Sequence, residues 1–202
     1  MVYLIYSIVC IPKGEVMKPS QQQKSNNAEI TIDHPKDELS MADLNDLCDA
    51  TDDAIQNGGG FGWTELPARE ILERYWQGAI IMPLRDVFLA RLDGVICGTV
   101  QMVHPPKYNE AQSHAVQLTA HFVAPWARNN HDLARMLISR VEQQARAEGY
   151  SVINLDVREP QTAAIKLYES MGYDHYATHP AYAHVDDHYI AGRYYMKILD
   201  AT

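Results

Sequence analysis

The chain has 202 residues, 47% of them apolar, and a formal charge of −9. That length fits one domain with a sizeable core, and the apolar share excludes wholesale disorder. The acidic balance argues against DNA or RNA as a main partner, since such binders present a basic face. Cys10, Cys48 and Cys97 are widely spaced with no C-x-x-C pair, so they read as reduced, structural residues of a cytoplasmic protein.

The chain opens on MVYLIYSIVCIP, an apolar run too short to span a bilayer as a helix and lacking the basic start of a secretory signal. Residues 18–27 are polar and rich in Gln, Ser and Asn. Residues 1–27 are therefore expected to form a flexible extension, with Met17 an alternative start and an extra edge strand the rival reading. Residues 28–202 are expected to form a single domain.

EITID at 29–33 alternates as a strand does. Ser40 precedes a helical pattern over about 41–57, followed by four glycines within 58–62. Thr64 is expected to cap a second helix over about 67–77. Strands over 87–92 and 95–103 flank Asp93-Gly94, a strong hairpin signal. A third strand over 115–123 follows a proline-containing loop. In that strand, 117, 119, 121 and 123 are expected on one side and 118, 120 and 122 on the other.

Leu133–Glu148 is amphipathic, with Leu133, Met136, Leu137, Val141 and Ala145 on one face and Gly149 at its end. SVINLDV at 151–157 has the composition of a strand buried on both faces. A short helix over 162–171 and an antiparallel pair, 173–178 with 193–198, complete the chain. Hairpins combined with one helical crossover give an α+β, or mixed α/β, architecture.

The turn WARNNHD leads from a strand directly into a helix, whose free amides and positive dipole end suit an anion such as a pyrophosphate. The structural alternative is a plain connection. His175, His179, His184 and His188 form two H-x-x-x-H pairs, but Pro180 breaks any helix aligning the first pair and no further ligand completes a motif, so no metal is expected.

VAPWAR, LARMLISRVEQQARAEGY, INLDV and AAIKLYESMGY, read together, resemble the core of the GNAT N-acetyltransferases. The resemblance covers about residues 87–198. It implies a central mixed, mostly antiparallel sheet flanked by helices and an acyltransferase that uses acetyl-CoA (coenzyme A) as co-substrate, with no metal. The acceptor implied is a primary amine of a small molecule or peptide, attacking directly in a ternary complex. Neither nucleic acid nor membrane is expected as a partner. Family members are often homodimers; the sequence shows no diagnostic interface stripe.

In that family the turn reads Q/R-x-x-G-x-G/A and its amides bind the pyrophosphate. Here Arg128, Asn129, Asn130, His131, Asp132, Leu133 and Ala134 occupy it, and a phosphate-approach glycine is missing in either of two registers. Asp132 brings a carboxylate to the anion site or caps the helix. The second reading that follows is a catalytically weakened binding or regulatory domain.

Tyr168, in LYES, matches the tyrosine that protonates the departing thiolate; a core aromatic is the plain alternative. Gln161 falls where the family often has an asparagine contacting the cofactor. The backbone of Phe122 and Val123 would, by resemblance, bond the acetyl carbonyl and pantetheine. His121 has a pKa suited to a general base, with a hydrogen-bonded strand histidine as the alternative. By chain position, Trp63 and Tyr182 are expected to line the acceptor pocket.

Overall fold

The structure, a computed structural model, describes residues 28–58, 62–128 and 132–199. The expectations for residues 1–27 and for Asn129, Asn130 and His131 lie outside the described residues.

The elements in chain order are β1 (Ile30–Asp33), α1 (Met41–Gln56), α2 (Arg69–Ile81), β2 (Arg85–Leu92), β3 (Val95–Val103), β4 (Ala115–Val123), α3 (Leu133–Ala147), β5 (Val152–Arg158), α4 (Thr162–Ser170), β6 (Asp174–Val185) and β7 (His188–Ile198). The strands form one sheet in the order β1-β2-β3-β4-β5-β7-β6. Every pairing is antiparallel except β4 with β5. This is the mixed, mostly antiparallel sheet flanked by helices that the sequence implies.

Alternation along β2 divides the core. Val87 and Leu89 pack with α1 and α2, while Phe88 and Ala90 pack with α3. Ser40 caps α1 by accepting the Asp43 N–H at 3.1 Å, as its position predicts. Trp76 of α2 donates its indole N–H to Thr51 Oγ1 of α1 at 3.0 Å, which satisfies a polar atom inside that layer.

α2 departs from expectation at both ends. It begins at Arg69 after Ala68, not after a Thr64 cap, and runs through Gly78 to Ile81, where Pro83 follows. Arg69 holds its first turn to α1 through Asp49 at 2.5 Å and the Asn45 carbonyl at 2.9 Å. Asp93 and Gly94 both take positive φ, 51° and 85°, as the two-residue hairpin requires. The last hairpin is much longer than its sequence suggests, because Asp186 and Asp187, at φ 49° and 60°, make a second such turn without glycine.

β4 breaks its own alternation. Thr99 pairs with Phe122 and Gln101 with Thr119, so β4 carries one extra residue across that interval. Ala120 absorbs it with φ 47°. Val116 and Leu118 face the α3 side, Ala120 and Phe122 face α1 and α2, and Val123 faces α3 again. The expected grouping of 117 and 119 with 121 and 123 on one side is therefore corrected: the bulge carries His121 to the opposite face. Nearby, Gly98 lets β3 approach, since a Cβ there would lie 2.7 Å from the Phe122 carbonyl oxygen.

β5 is corrected as well. Ile153, Leu155 and Val157 are buried, but Asn154 and Asp156 are not. Only one face of the strand is covered.

Candidate active site

β4 and β5 pair only at Ala115–Gln117 with Val152–Asn154. β5 then stays with β7 through Arg158, while β4 stays with β3 through Val123. Parallel neighbours that part in this way leave a wedge between them. A cavity of 370 Å³ occupies it, bounded by Leu118–His121 of β4, Asp156–Arg158 of β5, Tyr168 of α4 and Tyr182 of β6.

The bulge at Ala120 and the LYES segment of α4 bring two sequence-predicted residues together. His121 Nδ1 and the Tyr168 hydroxyl are 3.0 Å apart. Nε2 of His121 is inaccessible and has no hydrogen-bond partner among the described residues. Burial pushes the imidazole down to about 4, so the ring is neutral at pH 7. Burial first, and the Asp156 charge second, raise the Tyr168 phenol above its ordinary value. Tyr168 is therefore a protonated hydroxyl beside a neutral imidazole.

Asp156 stands on the other face of the sheet, because β5 turns residues 153, 155 and 157 into the α3 core. Its Oδ1 accepts from Gln117 Nε2 at 3.0 Å and its Oδ2 from the Tyr182 hydroxyl. The sequence gives Asp156 no expected role, because the apolar residues of SVINLDV suggest a strand covered on both faces. The signal was there: Asn154, Asp156 and Arg158 form a polar stripe at period two against Ile153, Leu155 and Val157.

The remaining predicted residues are placed as follows. Gln161 lines the cavity and donates to the Gly58 carbonyl, tying α4 to the end of α1. Phe122 is buried under α1 and α2, and the Val123 carbonyl accepts Arg128 Nε at 2.7 Å. Asp132 does not cap α3 with its side chain; its Oδ2 pairs with Arg135 Nε at 3.1 Å. Leu133 is fully buried and Ala134 packs on the same core. Trp63 packs edge-on against Tyr75 at 5.1 Å, while its neighbours Gly62 and Thr64 line the cavity.

The four C-terminal histidines do not converge. His175 pairs with Thr178 Oγ1, His179 accepts the Ala181 N–H, and His184 packs on Tyr189. Among the described residues, a grouping with ligand-like spacing is Asp86, His104 and Glu148, at the end of the sheet away from the cavity. Asp86 there already accepts from His34, Lys36 and His104. No described helix is long and apolar enough to cross a membrane.

The sequence model of the Acetyltransferase (GNAT) family matches residues 46–173. The chain belongs to this family. As a GNAT-family N-acetyltransferase it has a relative in Azospirillum brasilense, an uncharacterized N-acetyltransferase in the hisH–hisA intergenic region. The two are 60% identical over 125 residues, 62% of this chain and 74% of that protein. Solved GNAT structures share the fold. An N-acetyltransferase from Staphylococcus aureus superposes with a TM-score of 0.71 at 19% identity, covering 85% of this chain and 99% of its own. A putative acetyltransferase from Salmonella typhimurium, solved with its cofactor acetyl-CoA, gives 0.68 at 17% identity over 86% and 95%. GNAT acetyltransferases draw their acetyl group from acetyl-CoA, and this enzyme shares their fold.

Proposed function

We propose that this acetyltransferase moves the acetyl group of acetyl-CoA to a primary amine by direct attack within a ternary complex. One observation carries the reading: proton-handling groups line the wedge on both faces of the sheet, Tyr168 with His121 on one and Asp156 on the other. The residues also fit the donor. The β4–β5 ladder ends at Gln117 and Asn154, and the wedge beyond it has room for an extended amide-bearing chain to lie along β4.

In this mechanism Asp156 receives a proton from the acceptor ammonium, whose nitrogen must be a free base to attack the thioester carbon. A C–N bond forms and the C–S bond breaks. Tyr168 gives its hydroxyl proton to the departing sulfur. Burial that disfavours tyrosinate disfavours a thiolate in the same place, so the transfer is not opposed by a mismatch of environments. Of the two protons the nitrogen sheds, one reaches solvent through Asp156 and the other restores the Tyr168 hydroxyl, whose own proton has passed to the thiol. His121, with its Nδ1 hydrogen donated to the phenol oxygen, leaves the Tyr168 O–H free to point at sulfur and steadies the charge left behind.

The second reading, a binding domain without turnover, rests on the glycine-poor turn. Arg135 counters it by holding the Asp132 carboxylate and leaving the first amides of α3 uncapped by that side chain. A thiol-release assay over a panel of amines, run with Tyr168→Phe, tests the proposal. We expect turnover in the parent and a loss of about 10² in kcat in the variant, with acetyl-CoA-induced thermal stabilisation retained. No stabilisation at millimolar acetyl-CoA would sink the enzyme reading, and an unchanged kcat would remove the acid role.

A further inference from the structure

We infer that the acceptor carries a carboxylate set apart from its amine, and that Arg85 binds it on the α1–α2 face of the sheet. The inference rests on the acetyl-transfer reading above and adds the acceptor's second functional group.

Arg85 opens β2 and faces α1 and α2, two residues before Val87, which packs in that layer. It donates to the side-chain carbonyl oxygen of Gln101, its one hydrogen-bond partner among the described residues. Its Nε is buried without an acceptor, and no described carboxylate forms an ion pair with it. Arg69, Arg91, Arg135, Arg146 and Arg193, by contrast, each hold a carboxylate. Gln101 is fully buried and neutral, and its amide donates to the Tyr75 hydroxyl of α2 at 3.0 Å. A half-buried charge among neutral groups is costly until an opposite charge joins it. A single guanidinium matches one negative charge, and its planar fork of N–H groups fits a carboxylate.

Two routes connect Arg85 to the wedge. Gln101 pairs with Val87 on one side and with Thr119 on the other, and Thr119 lines the cavity. Gln117, two residues before Thr119, holds Asp156 on that same face. From the helix layer, Tyr75 meets Trp63, whose neighbours Gly62 and Thr64 line the cavity. Arg85, Gln101, Thr119 and Asp156 thus form a polar row across four neighbouring strands. An amine in the wedge and a carboxylate at Arg85 stand one to two strand spacings apart, roughly 5–10 Å. Short ω-amino acids such as γ-aminobutyrate and ε-aminocaproate span that gap.

The test measures KM for these two acids against their amides, which have the same length and no negative charge, using the full-chain enzyme with acetyl-CoA. In the parent, KM for at least one acid should lie about tenfold below that of its amide, the scale of one hydrogen bond to a charged group. Arg85→Gln keeps an amide donor, removes the charge and should bring the two KM values together. Arg85→Lys, which keeps the charge without the fork, should retain part of the preference. Equal KM values for acid and amide in the parent, at both lengths, overturn the inference and leave acetyl transfer standing, whether or not Arg85→Gln folds. An Arg85→Gln variant that loses acid and amide alike also overturns it, because a merely structural arginine would do that. Where no turnover occurs, calorimetric titration of both acids into coenzyme A-loaded parent separates the two readings. Binding that Arg85→Gln weakens keeps the carboxylate site and counts against acetyl transfer; no binding defeats the site.

Discussion

His121 should make folding stability depend on pH in a way a single substitution removes. Burial lowers the imidazole from 6.5 to about 4 in the native state. Between those values the unfolded chain binds a proton that the native chain refuses, so stability is full above pH 6.5 and falls as pH drops toward 4. At 1.36 kcal/mol per pKa unit, the whole loss is about 3 kcal/mol, most of it complete by pH 4.5. His121→Asn keeps a polar side chain of similar reach and does not titrate. Its lost contact with Tyr168 costs the same at every pH and cancels from the comparison. Burial pushes the Asp86 carboxyl up, but its bonds to Lys36, His34 and His104 hold it below its ordinary value, so it acts mainly below pH 4 and equally in both proteins. Urea unfolding at pH 7.0 and 4.5 measures the effect. The parent should lose about 2.5 kcal/mol more than the variant between the two conditions. Parallel losses would refute the account, and would mean that the ring is protonated in the native state or exposed to water.

Two further substitutions probe what frames the site. Gly98→Ala would push a methyl to 3.2 Å from Val123 Cγ2 and to 2.7 Å from the Phe122 carbonyl, a contact only the backbone can relieve. We expect a loss of about 1–3 kcal/mol in urea unfolding. Asp86→Asn would turn an acceptor of three donors into a group carrying its own N–H bonds, at a cost of about 2 kcal/mol. Its marker is local: faster proteolytic cleavage within residues 34–40, the segment those bonds hold down.

Much of the fold is legible in the sequence because it is locally encoded. The apolar face of α3, the Ser40 cap and the Asp93-Gly94 turn each depend on residues within a few positions of one another. What escapes depends on partners far along the chain. Nothing in HAVQLTAHFV announces that Ala120 takes a positive φ, since alanine is an improbable residue for it; the bulge exists because β4 must pair with β3 and still bend toward the wedge. Thr64 looks like a helix cap, but the Arg69 contacts to α1 set where α2 begins. Of the site, Tyr168 was legible from LYES and His121 as a polar residue in its strand. Their partnership was not, and Asp156 was hidden inside an apolar-looking run. Gly192 carries meaning only once Tyr182 is seen lying over it.

The short β4–β5 pairing has a mechanical consequence. Three residue pairs join a four-stranded half, β1 to β4, to a three-stranded half, β5 to β7. His121 rides on the first half, while Asp156, Tyr168 and Tyr182 ride with the second. The angle between the halves, held by this short seam and by the core packed across both, thus sets how far apart the two banks stand. A substitution at Ala115 or Val152 that shifts the joint would retune the reaction without replacing a residue of either bank. The protein's reactivity is in this sense governed by an angle as much as by its chemical groups.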